Sequence, residues 1–525
     1  MKTLLRALGF GLAGLAQAAS IAAPWNGQPL WWLQLLSLAA LVWQLDALRS
    51  SAATAAGRPR WRAGLLYGWL FSTLWLCGTF WWLFISLHTY GGLAAPLSAV
   101  AVLVLAAGLA LYYALACALF VAFAPPGPLR CAAFFAALWT LAELLRGHWF
   151  SGFPWGAGGY AHVEGPLAAY ASWVGVYGIG AVAAAIATLV PLAFRHLRGR
   201  GFAAPVALAL VLLFVPALID AARGTPDDDA SRSSGRIEVA LLQGNIPQDE
   251  KFVPGGGIAT ALDWYGEQLH KATASLVITP ETAVPLLPSQ LPRDYLESIA
   301  ARYAGGKQAA VVGLPLGDGN AYSNSVLGFR PGAGPLYRYD KHHLVPFGEF
   351  IPGMFRWFTD LLNIPLGDFR SGGLAQAPFV WMGQRIAPNI CYEDLFGEEI
   401  GANFVNDADS PTILLNMSNI AWFGDSIAID QHLAISRMRA LEFRRPMVRA
   451  TNTGATAVID HRGRVTASLP RLTRGVLVAE VEGRTGRTPY AVWVSRFRLW
   501  PLWGLALLVV LATLLGARRR GAGGS

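Results

Sequence analysis

Long apolar runs separated by short polar connections fill the first 222 residues, and one further apolar run lies near the carboxyl terminus. Each run is close to the roughly 20 residues that a helix needs to cross the hydrocarbon core of a membrane. The pattern therefore predicts a polytopic α-helical membrane bundle of about eight spans, seven in residues 1–222 and the last in residues 491–517. The predicted spans are residues 4–23, 28–47, 64–87, 95–123, 130–146, 166–193, 202–222 and 498–517.

The first apolar run has a second interpretation. Lys2 and Arg6 precede it, and it closes with Ala-Gln-Ala-Ala, as the cleavage region of a secretory signal peptide does. A retained span fits the charge distribution better, because these two basic residues then lie on the same side of the membrane as the other basic connections.

Between the seventh and eighth runs the pattern changes to short β-branched or leucine-rich runs that alternate with amphipathic segments. We read residues 223–235 as a polar linker, 236–490 as one extramembrane domain and 518–525 as a basic tail. Alternating buried strands and helices predict an α/β domain. The predicted strands are 237–243, 275–279, 309–314, 325–329, 384–390, 412–416, 448–452 and 455–459, and the predicted helices are 258–275, 292–303, 396–405 and 430–443.

Composition agrees with a membrane protein. The chain of 525 residues is 54% hydrophobic and 14% charged, and it contains 20 tryptophans. A soluble protein carries about a quarter charged residues. The low charge therefore excludes an ordinary soluble protein of this length.

Basic residues identify the cytoplasmic side. They cluster at both termini and in the even-numbered connections, whereas odd-numbered connections such as residues 23–28 and 88–92 have almost none. By the positive-inside rule both termini are cytoplasmic, and the block 223–490 lies in the periplasm, outside a bacterial inner membrane. This asymmetry explains much of the net charge of +9, so we expect no nucleic-acid partner. The residues concerned are Lys2, Arg6, Arg49, Arg58, Arg60, Arg62, Arg130, Arg195, Arg198, Arg200, Arg518, Arg519 and Arg520.

Cys391 is the most informative polar position in the predicted domain. It ends the apolar run 385–390 and is followed by Tyr392 and by two carboxylates, Glu393 and Asp394. A nucleophile on a strand-to-helix turn is often placed in this way. The other three of the four cysteines lie inside apolar spans, where a small buried hydrophobic role is the simpler interpretation. With no CxxC pair or His/Cys cluster, we expect neither a metal nor a cofactor.

Two further segments supply groups that such a thiol needs. Glu281 follows the predicted strand 275–279 between Pro280 and Pro285, and Lys341 and Glu349 lie in the segment Lys-His-His-Leu-Val-Pro-Phe-Gly-Glu. A partly desolvated carboxylate can act as a base, and an ammonium can stabilise an oxyanion. A solvated loop glutamate and a structural Lys341–Asp340 ion pair are the alternatives.

Glu, Lys and Cys, in that chain order and each closing a strand-like run, resemble the catalytic set of the nitrilase (carbon–nitrogen hydrolase) superfamily. With its amino-terminal bundle and last span, the whole chain resembles the bacterial apolipoprotein N-acyltransferase family. Two positions depart from that family, Phe252 where it usually has Trp and Ile420 where it usually has Asp. The matching segments are 146–155, 242–248, 280–285, 341–352, 390–394, 416–426, 431–433, 437–442 and 449–454.

The resemblance implies a nitrilase-like αββα sandwich and a two-step acyl transfer, the last step of lipoprotein maturation. It implies that Cys391 takes an acyl chain from a phospholipid as a thioester and passes it to the amino-terminal diacylglyceryl-cysteine of an apolipoprotein. Glu281 would be the base and Lys341 the oxyanion stabiliser, with Glu349 orienting one of them. The backbone N–H of Tyr392 would be a second oxyanion donor, and the side chains of Tyr392 and Glu393 would shape the site, unless Glu393 only caps backbone amides.

Aromatic residues in loops are candidates for contact with lipid or for a cover over the pocket. They are Phe252, Trp357, Phe358, Trp422 and Phe423, with core packing as the alternative. Two other functions are compatible with parts of the pattern. A membrane-tethered amidase would use the same three residues but let water resolve the thioester. A transporter or sensor with a degenerate nitrilase-like domain would show charged residues in its spans and an incomplete catalytic set.

Overall fold

The computed structural model describes residues 1–53, 60–196, 199–223, 232–318, 321–332, 334–351 and 369–522. It divides into two compact units. One comprises Met1–Thr225 and Leu499–Ser525, and the other comprises Pro226–Arg498.

In the first unit, eight helices among the described residues are long and apolar enough to cross a membrane. Each overlaps one of the eight predicted spans. Their bounds are Lys2–Ile21, Trp31–Ala53, Trp61–Phe80, Ala95–Phe123, Pro128–His148, Ala171–His196, Ala203–Arg223 and Trp500–Ala522.

A buried arginine organises the segment after the fifth of these helices. Arg146 is 1% exposed, and its Nε donates to the hydroxyl of Tyr113 at 2.9 Å. Its Nη1 donates to the carbonyls of Phe153 and Trp155, both at 2.7 Å. Because a guanidinium is a rigid fork of donors, one side chain fixes a helix and the irregular backbone that follows it.

The described residues of the second unit form two six-stranded sheets. One has the strand order β12-β1-β2-β3-β4-β5 and the other β11-β10-β9-β8-β7-β6. The strands β1 to β12 are, in order, Ser233–Gln243, Leu276–Ile278, Ala309–Asp318, Ala321–Phe329, Tyr337–Asp340, Phe379–Trp381, Gln384–Ile390, Ile413–Ser418, Met447–Thr451, Ala457–Ile459, Val465–Ser468 and Gly475–Arg484. Strands β1, β2 and β3 are parallel, as are β7, β8 and β9.

Side chains that alternate along β1 separate two cores. Val239 and Leu241 belong to a core that also contains Leu415 and Met417 of β8, so the two sheets pack face to face. Ala240 and Leu242 join a second core with helices on the outer side of the first sheet. The result is a sandwich of helix, sheet, sheet and helix. The helices of this unit are Gly257–Lys271, Tyr295–Ala304, Gly397–Gly401, Ala428–Phe443 and Pro489–Phe497.

All eight predicted strands coincide with strands of the structure, and four more were not predicted, β5, β6, β11 and β12. The predicted helix 396–405 is the short helix Gly397–Gly401 followed by a 3-10 turn. Strand β1 begins at Ser233, inside the predicted linker. The helix Pro489–Phe497 groups with the second unit, although the apolar pattern assigned residues 491–497 to the last span.

Candidate active site

The ends of β2, β5 and β7 bring the three predicted site residues together. Glu281 lies three residues after β2, while Lys341 and Cys391 directly follow β5 and β7. The Nζ atom of Lys341 is 3.4 Å from Oε1 of Glu281, and both of these charged groups act on the thiol of Cys391. The site therefore lies at one edge of the sandwich, with both sheets contributing to it.

Three donors fix the carboxylate of Glu281, whose exposure is 8%. Its Oε1 accepts from the side-chain amide of Asn324 at 2.7 Å and from Lys341. Its Oε2 accepts from the backbone N–H of Asn419 at 2.8 Å. Such contacts restrict the rotamer of Glu281 and orient it, as a positioned base requires.

Lys341 is a permanently charged member of the site. It is 1% exposed, and its Nζ donates to Oε1 of Glu349 at 2.9 Å. Burial acts to lower the pKa of Lys341, but the carboxylates of Glu349 and Glu281 outweigh burial and raise it above its usual value. Lys341 therefore serves as a cation and cannot serve as a base.

The backbone at Cys391 has a left-handed conformation, with φ of 53°. Non-glycine residues rarely adopt it, and a sharp turn of this kind presents a nucleophile at a strand end. The carbonyl oxygen of Cys391 accepts from Nδ2 of Asn416 at 3.1 Å and lies 3.2 Å from Nε2 of His432. Burial, reinforced by Glu281, raises the pKa of the thiol to about 12 despite the opposing charge of Lys341. The thiol is therefore neutral near pH 7 and requires a base to ionise.

Glu349 contacts both Lys341 and Asn324. Its Oε1 accepts from both Lys341 and Asn324, each at 2.9 Å. Its Oε2 accepts from the backbone N–H of Val345 at 2.9 Å, which fixes the loop that carries both groups. Glu349 thus holds the ammonium of Lys341 in place.

Glu393 joins the nucleophile turn to the Lys341 loop. Its carboxylate accepts from the backbone N–H groups of Ile390, His342 and His343 at 2.5, 2.6 and 3.2 Å, and from the hydroxyl of Tyr339. The contacts of Glu393 in the structure are therefore those of a carboxylate that caps backbone amides, which was the alternative to a role in shaping the site. Burial raises its pKa, although these donors oppose the shift.

The aromatic candidates lie in different environments. Tyr392 is 5% exposed, and its ring packs against that of Phe396. Trp422 is 40% exposed, whereas Phe423 is half-buried in the same 3-10 turn after β8. Phe252 is 50% exposed. Trp357 and Phe358 lie outside the described residues.

The two departures from the family pattern have different surroundings. Ile420 is 1% exposed at the start of the turn that carries Trp422, so an apolar residue suits that position. Phe252 is exposed and follows a buried lysine, Lys251.

Several polar residues of the site had no role in the sequence interpretation. They are Lys251, Asn324, Asn416 and Asn419. Asn416 and Asn419 lie in segment 416–426, which resembles the family pattern, but the sequence indicates no role for either residue. The signal for Asn324 was a polar triplet, Ser-Asn-Ser, within an otherwise apolar strand. Only the folded structure shows that these amides serve Glu281 and the carbonyl of Cys391.

A second buried network lies behind Cys391. The carboxylate of Asp394 is 3.0 Å from Nε2 of His432, accepts from Ser436 at 2.5 Å and pairs with Arg449 at 3.3 Å. His432 also contacts the carbonyl of Cys391. The network therefore supports the turn that carries the nucleophile.

Comparison with known proteins agrees with this geometry. Residues 238–490 match the carbon–nitrogen hydrolase family, which defines the class of the second unit. Residues 13–189 match the apolipoprotein N-acyltransferase N-terminal domain. The chain belongs to the apolipoprotein N-acyltransferase family, and with its apolar helices it is a multi-pass membrane protein.

Two relatives illustrate the extent of the similarity. An apolipoprotein N-acyltransferase of Verminephrobacter eiseniae is 56% identical over 510 residues, which cover 94% of this chain and 92% of the relative. One of Ralstonia nicotianae is 46% identical, covering 94% and 90%. Among solved structures, a CN-hydrolase superfamily protein from Xanthomonas campestris is 21% identical, with a TM-score of 0.36, and covers 50% of this chain and 96% of its own.

Proposed function

We propose that this protein transfers an acyl chain from a phospholipid to the α-amino group of the diacylglyceryl-cysteine that begins an apolipoprotein. The observation that carries the proposal is the convergence of Glu281, Lys341 and Cys391 in a chain of this family, with Lys341 Nζ 3.4 Å from Oε1 of Glu281. The reaction has two steps and a thioester on Cys391 between them.

In the first step Glu281 takes the proton of the Cys391 thiol, and the sulfur attacks the ester carbonyl of the phospholipid. Negative charge develops on the carbonyl oxygen, which the ammonium of Lys341 and the backbone N–H of Tyr392 stabilise. When the C–O bond breaks, the departing lysophospholipid oxygen takes the proton from Glu281. The products are a thioester and a lysophospholipid.

In the second step the neutral amine of the acceptor attacks the thioester. Glu281 takes a proton from the amine nitrogen, the C–S bond breaks, and the sulfur recovers the proton. The product is an amide-linked acyl chain, and the free thiol is restored. Because the two substrates react in turn, one carboxylate serves both steps as acid and base.

The proposed location follows from charge and substrate chemistry. Both termini lie in the cytoplasm and the catalytic domain lies in the periplasm, attached to the bacterial inner membrane by the spans on either side of it. Both substrates are lipids, so a tethered site at the outer surface of that membrane can reach them. The exposed Trp422 and Phe252 are suited to contact with lipid.

A membrane-tethered amidase is the alternative that uses the same three residues. It requires water to reach the thioester freely. The aromatic side chains near the site and the complete membrane unit favour acyl transfer between lipids instead.

Intact-mass spectrometry of the purified protein incubated with phospholipid tests the proposal. We expect a mass increase of one acyl group, its removal by hydroxylamine, and no increase in Cys391→Ser. Addition of a peptide with an amino-terminal diacylglyceryl-cysteine should discharge the thioester and produce an amide-linked third chain. Rapid discharge to free fatty acid, independent of the lipopeptide, would instead identify a hydrolase.

A further inference from the structure

A second lysine is buried beside the site. Lys251 lies in the turn between β1 and the helix Gly257–Lys271, and it is 2% exposed. Its Nζ donates to the backbone carbonyl of Glu281 at 3.3 Å. The ring of Phe252 lies 5.8 Å from the ammonium.

No carboxylate among the described residues lies within ion-pair distance of Lys251. A buried ammonium without a close counter-charge is unfavourable, because its lost hydration is not replaced. Burial accordingly lowers the pKa of Lys251 to about 8, although the charges of Glu281 and Cys391 oppose the shift. An apolar residue of similar shape would cost the fold less, so a purely structural role does not explain the charge.

The groups that face Lys251 are those of the reaction. Glu281, in the loop after β2, and Cys391, at the end of β7, both act electrostatically on Lys251. The other lysine, Lys341, is already matched by Glu281 and Glu349 at 3.4 and 2.9 Å. Glu281, Glu349 and Lys341 all act electrostatically on the thiol of Cys391. Of the two buried lysines, Lys251 is the one without a direct ion pair in the described structure.

We propose that Lys251 is a positioning residue for acylation of Cys391. It holds the backbone of Glu281 through its carbonyl and supplies positive charge toward the sulfur when the thiol proton passes to Glu281. Lys251 keeps its own proton throughout, so it balances the thiolate without entering the proton transfer. The inference rests on the proposed function, because it assigns Lys251 to the first step of that reaction.

Binding of the phospholipid phosphate is the other role that a lysine could have here. Its burial and its contact with the main chain of Glu281 favour action on the reacting groups over contact with a headgroup at the membrane surface. The two roles differ in a measurable way. A phosphate ligand affects only donors with a phosphate, whereas a charge that supports the thiolate affects every electrophile.

The test compares Lys251→Met, which keeps the length of the side chain without its charge, with Lys251→Arg. Lys271→Met is the matched control, because Lys271 is exposed and pairs with Glu267 on the helix surface. The first measurement is the rate at which iodoacetamide alkylates Cys391 between pH 6.5 and 9, followed by peptide mass spectrometry. The second is the midpoint of thermal unfolding. The third is acylation by phospholipid and by a short neutral ester.

For Lys251→Met we expect alkylation about tenfold slower below pH 8, where Lys251 of the wild type carries its proton. The difference should diminish toward pH 9, because Lys251 has a pKa of about 8 and loses its charge there. Acylation by both donors should slow to a similar extent, with an unfolding midpoint equal to or above that of the wild type. Lys251→Arg should recover part of the rate, and Lys271→Met should match the wild type. Recovery by arginine at an unchanged midpoint distinguishes charge from packing.

Three outcomes would overturn the inference. They are unchanged alkylation in Lys251→Met, a loss confined to the phospholipid donor, and a large fall in the unfolding midpoint that accounts for the lost rate. Failure of the wild-type protein to form any thioester would instead refute the proposed function. Alkylation needs no lipid, so the two failures are distinguishable.

Discussion

The Nζ atom of Lys341 donates to Oε1 of Glu349 at 2.9 Å. That contact is shorter than the 3.4 Å between Lys341 and Glu281. Glu349 therefore carries the main ion pair of the lysine, and Glu281 is the more distant of its two carboxylate partners. The proposed reaction uses this arrangement, with Glu349 holding the cation and Glu281 acting as the base.

Glu349→Gln tests this division. The amide keeps the shape of the side chain but loses the charge that holds Lys341, so the ammonium should be less well positioned to stabilise the oxyanion of the proposed first step. Hydrogen bonds to charged groups contribute about 1.5–3 kcal/mol, which corresponds to a reduction of about ten- to a hundredfold in the rate of thioester formation. Single-turnover acylation, followed by intact mass, measures this rate.

Glu480→Gln is the control for that experiment, because Glu480 is an exposed strand residue that pairs with Arg236 at the surface. It should acylate at the wild-type rate. An acylation rate in Glu349→Gln equal to that of the wild type would show that Glu349 has no part in holding Lys341.

Much of the fold could be predicted from the sequence, because apolar runs and short buried strands have strong local signals. The strands that the sequence did not predict have weak local signals. Strand β5, Tyr-Arg-Tyr-Asp, is polar and short, and β12 has partly exposed residues along most of its length. Strand β12 is defined by pairing with β1, at the other end of this unit's sequence, and no local pattern records such pairing. Strand β5 pairs with the preceding strand β4, but its own residues carry little apolar signal.

The residues of the candidate site also differ in how well the sequence predicts them. Glu281 and Cys391 follow strands that the sequence predicts, β2 and β7, whereas the strand before Lys341, β5, was not predicted. The supporting amides of Asn324 and Asn419 act through contacts across 43 and 138 residues, so their roles depend on the tertiary fold. The position of Lys251 in the site is harder still to predict, since its neighbours in sequence, Glu250 and Phe252, are typical of an ordinary exposed turn.

The raised pKa of Cys391 predicts a specific pH profile for the free protein. Because the pKa is about 12, the thiolate fraction should increase about tenfold for each pH unit between 7 and 9. The rate of alkylation of Cys391 by iodoacetamide should increase throughout this range without reaching a plateau, and less steeply above pH 8, where Lys251 loses its charge. Free glutathione in the same buffers is the control and should begin to level off near its ordinary thiol pKa. A plateau at Cys391 below pH 8 would mean that the thiol is already ionised in the resting protein.

Replacing Glu393 should lower the stability of the fold more than it lowers the rate of the reaction. Glu393→Ala leaves buried donors at Tyr339, Ile390 and His342 without their acceptor. Each unsatisfied group costs about 1–3 kcal/mol, so we expect a loss on the order of 3 kcal/mol in the free energy of unfolding. Thermal unfolding of the detergent-solubilised protein measures the change, with Glu480→Ala as the surface control. An unchanged midpoint would mean that the turn does not depend on this carboxylate.

Replacing Trp422 and Phe423 tests whether these two rings favour acyl transfer over hydrolysis of the thioester. The thioester must persist until an amine arrives, so water must be kept away from it, and these two rings lie on the turn after β8 that also carries Asn419, the donor to Glu281. Replacing both rings by alanine should increase discharge of the acyl-enzyme to free fatty acid relative to transfer to a diacylglyceryl peptide. Alkylation of Cys391 by iodoacetamide should remain within about twofold of the wild type. The ratio of free fatty acid to acylated peptide, measured by mass spectrometry, reports the partition.

Val465→Ala, at an exposed position of the edge strand β11, removes apolar surface elsewhere in the same unit and should leave the partition unchanged. If the double alanine variant transfers as efficiently as the wild type and with no more hydrolysis, water is excluded by other residues. If alkylation of Cys391 falls as well, the rings support the turn itself and act through Glu281. Only increased hydrolysis at an unchanged alkylation rate agrees with a cover over the thioester, because that result separates access of water from reactivity of the sulfur.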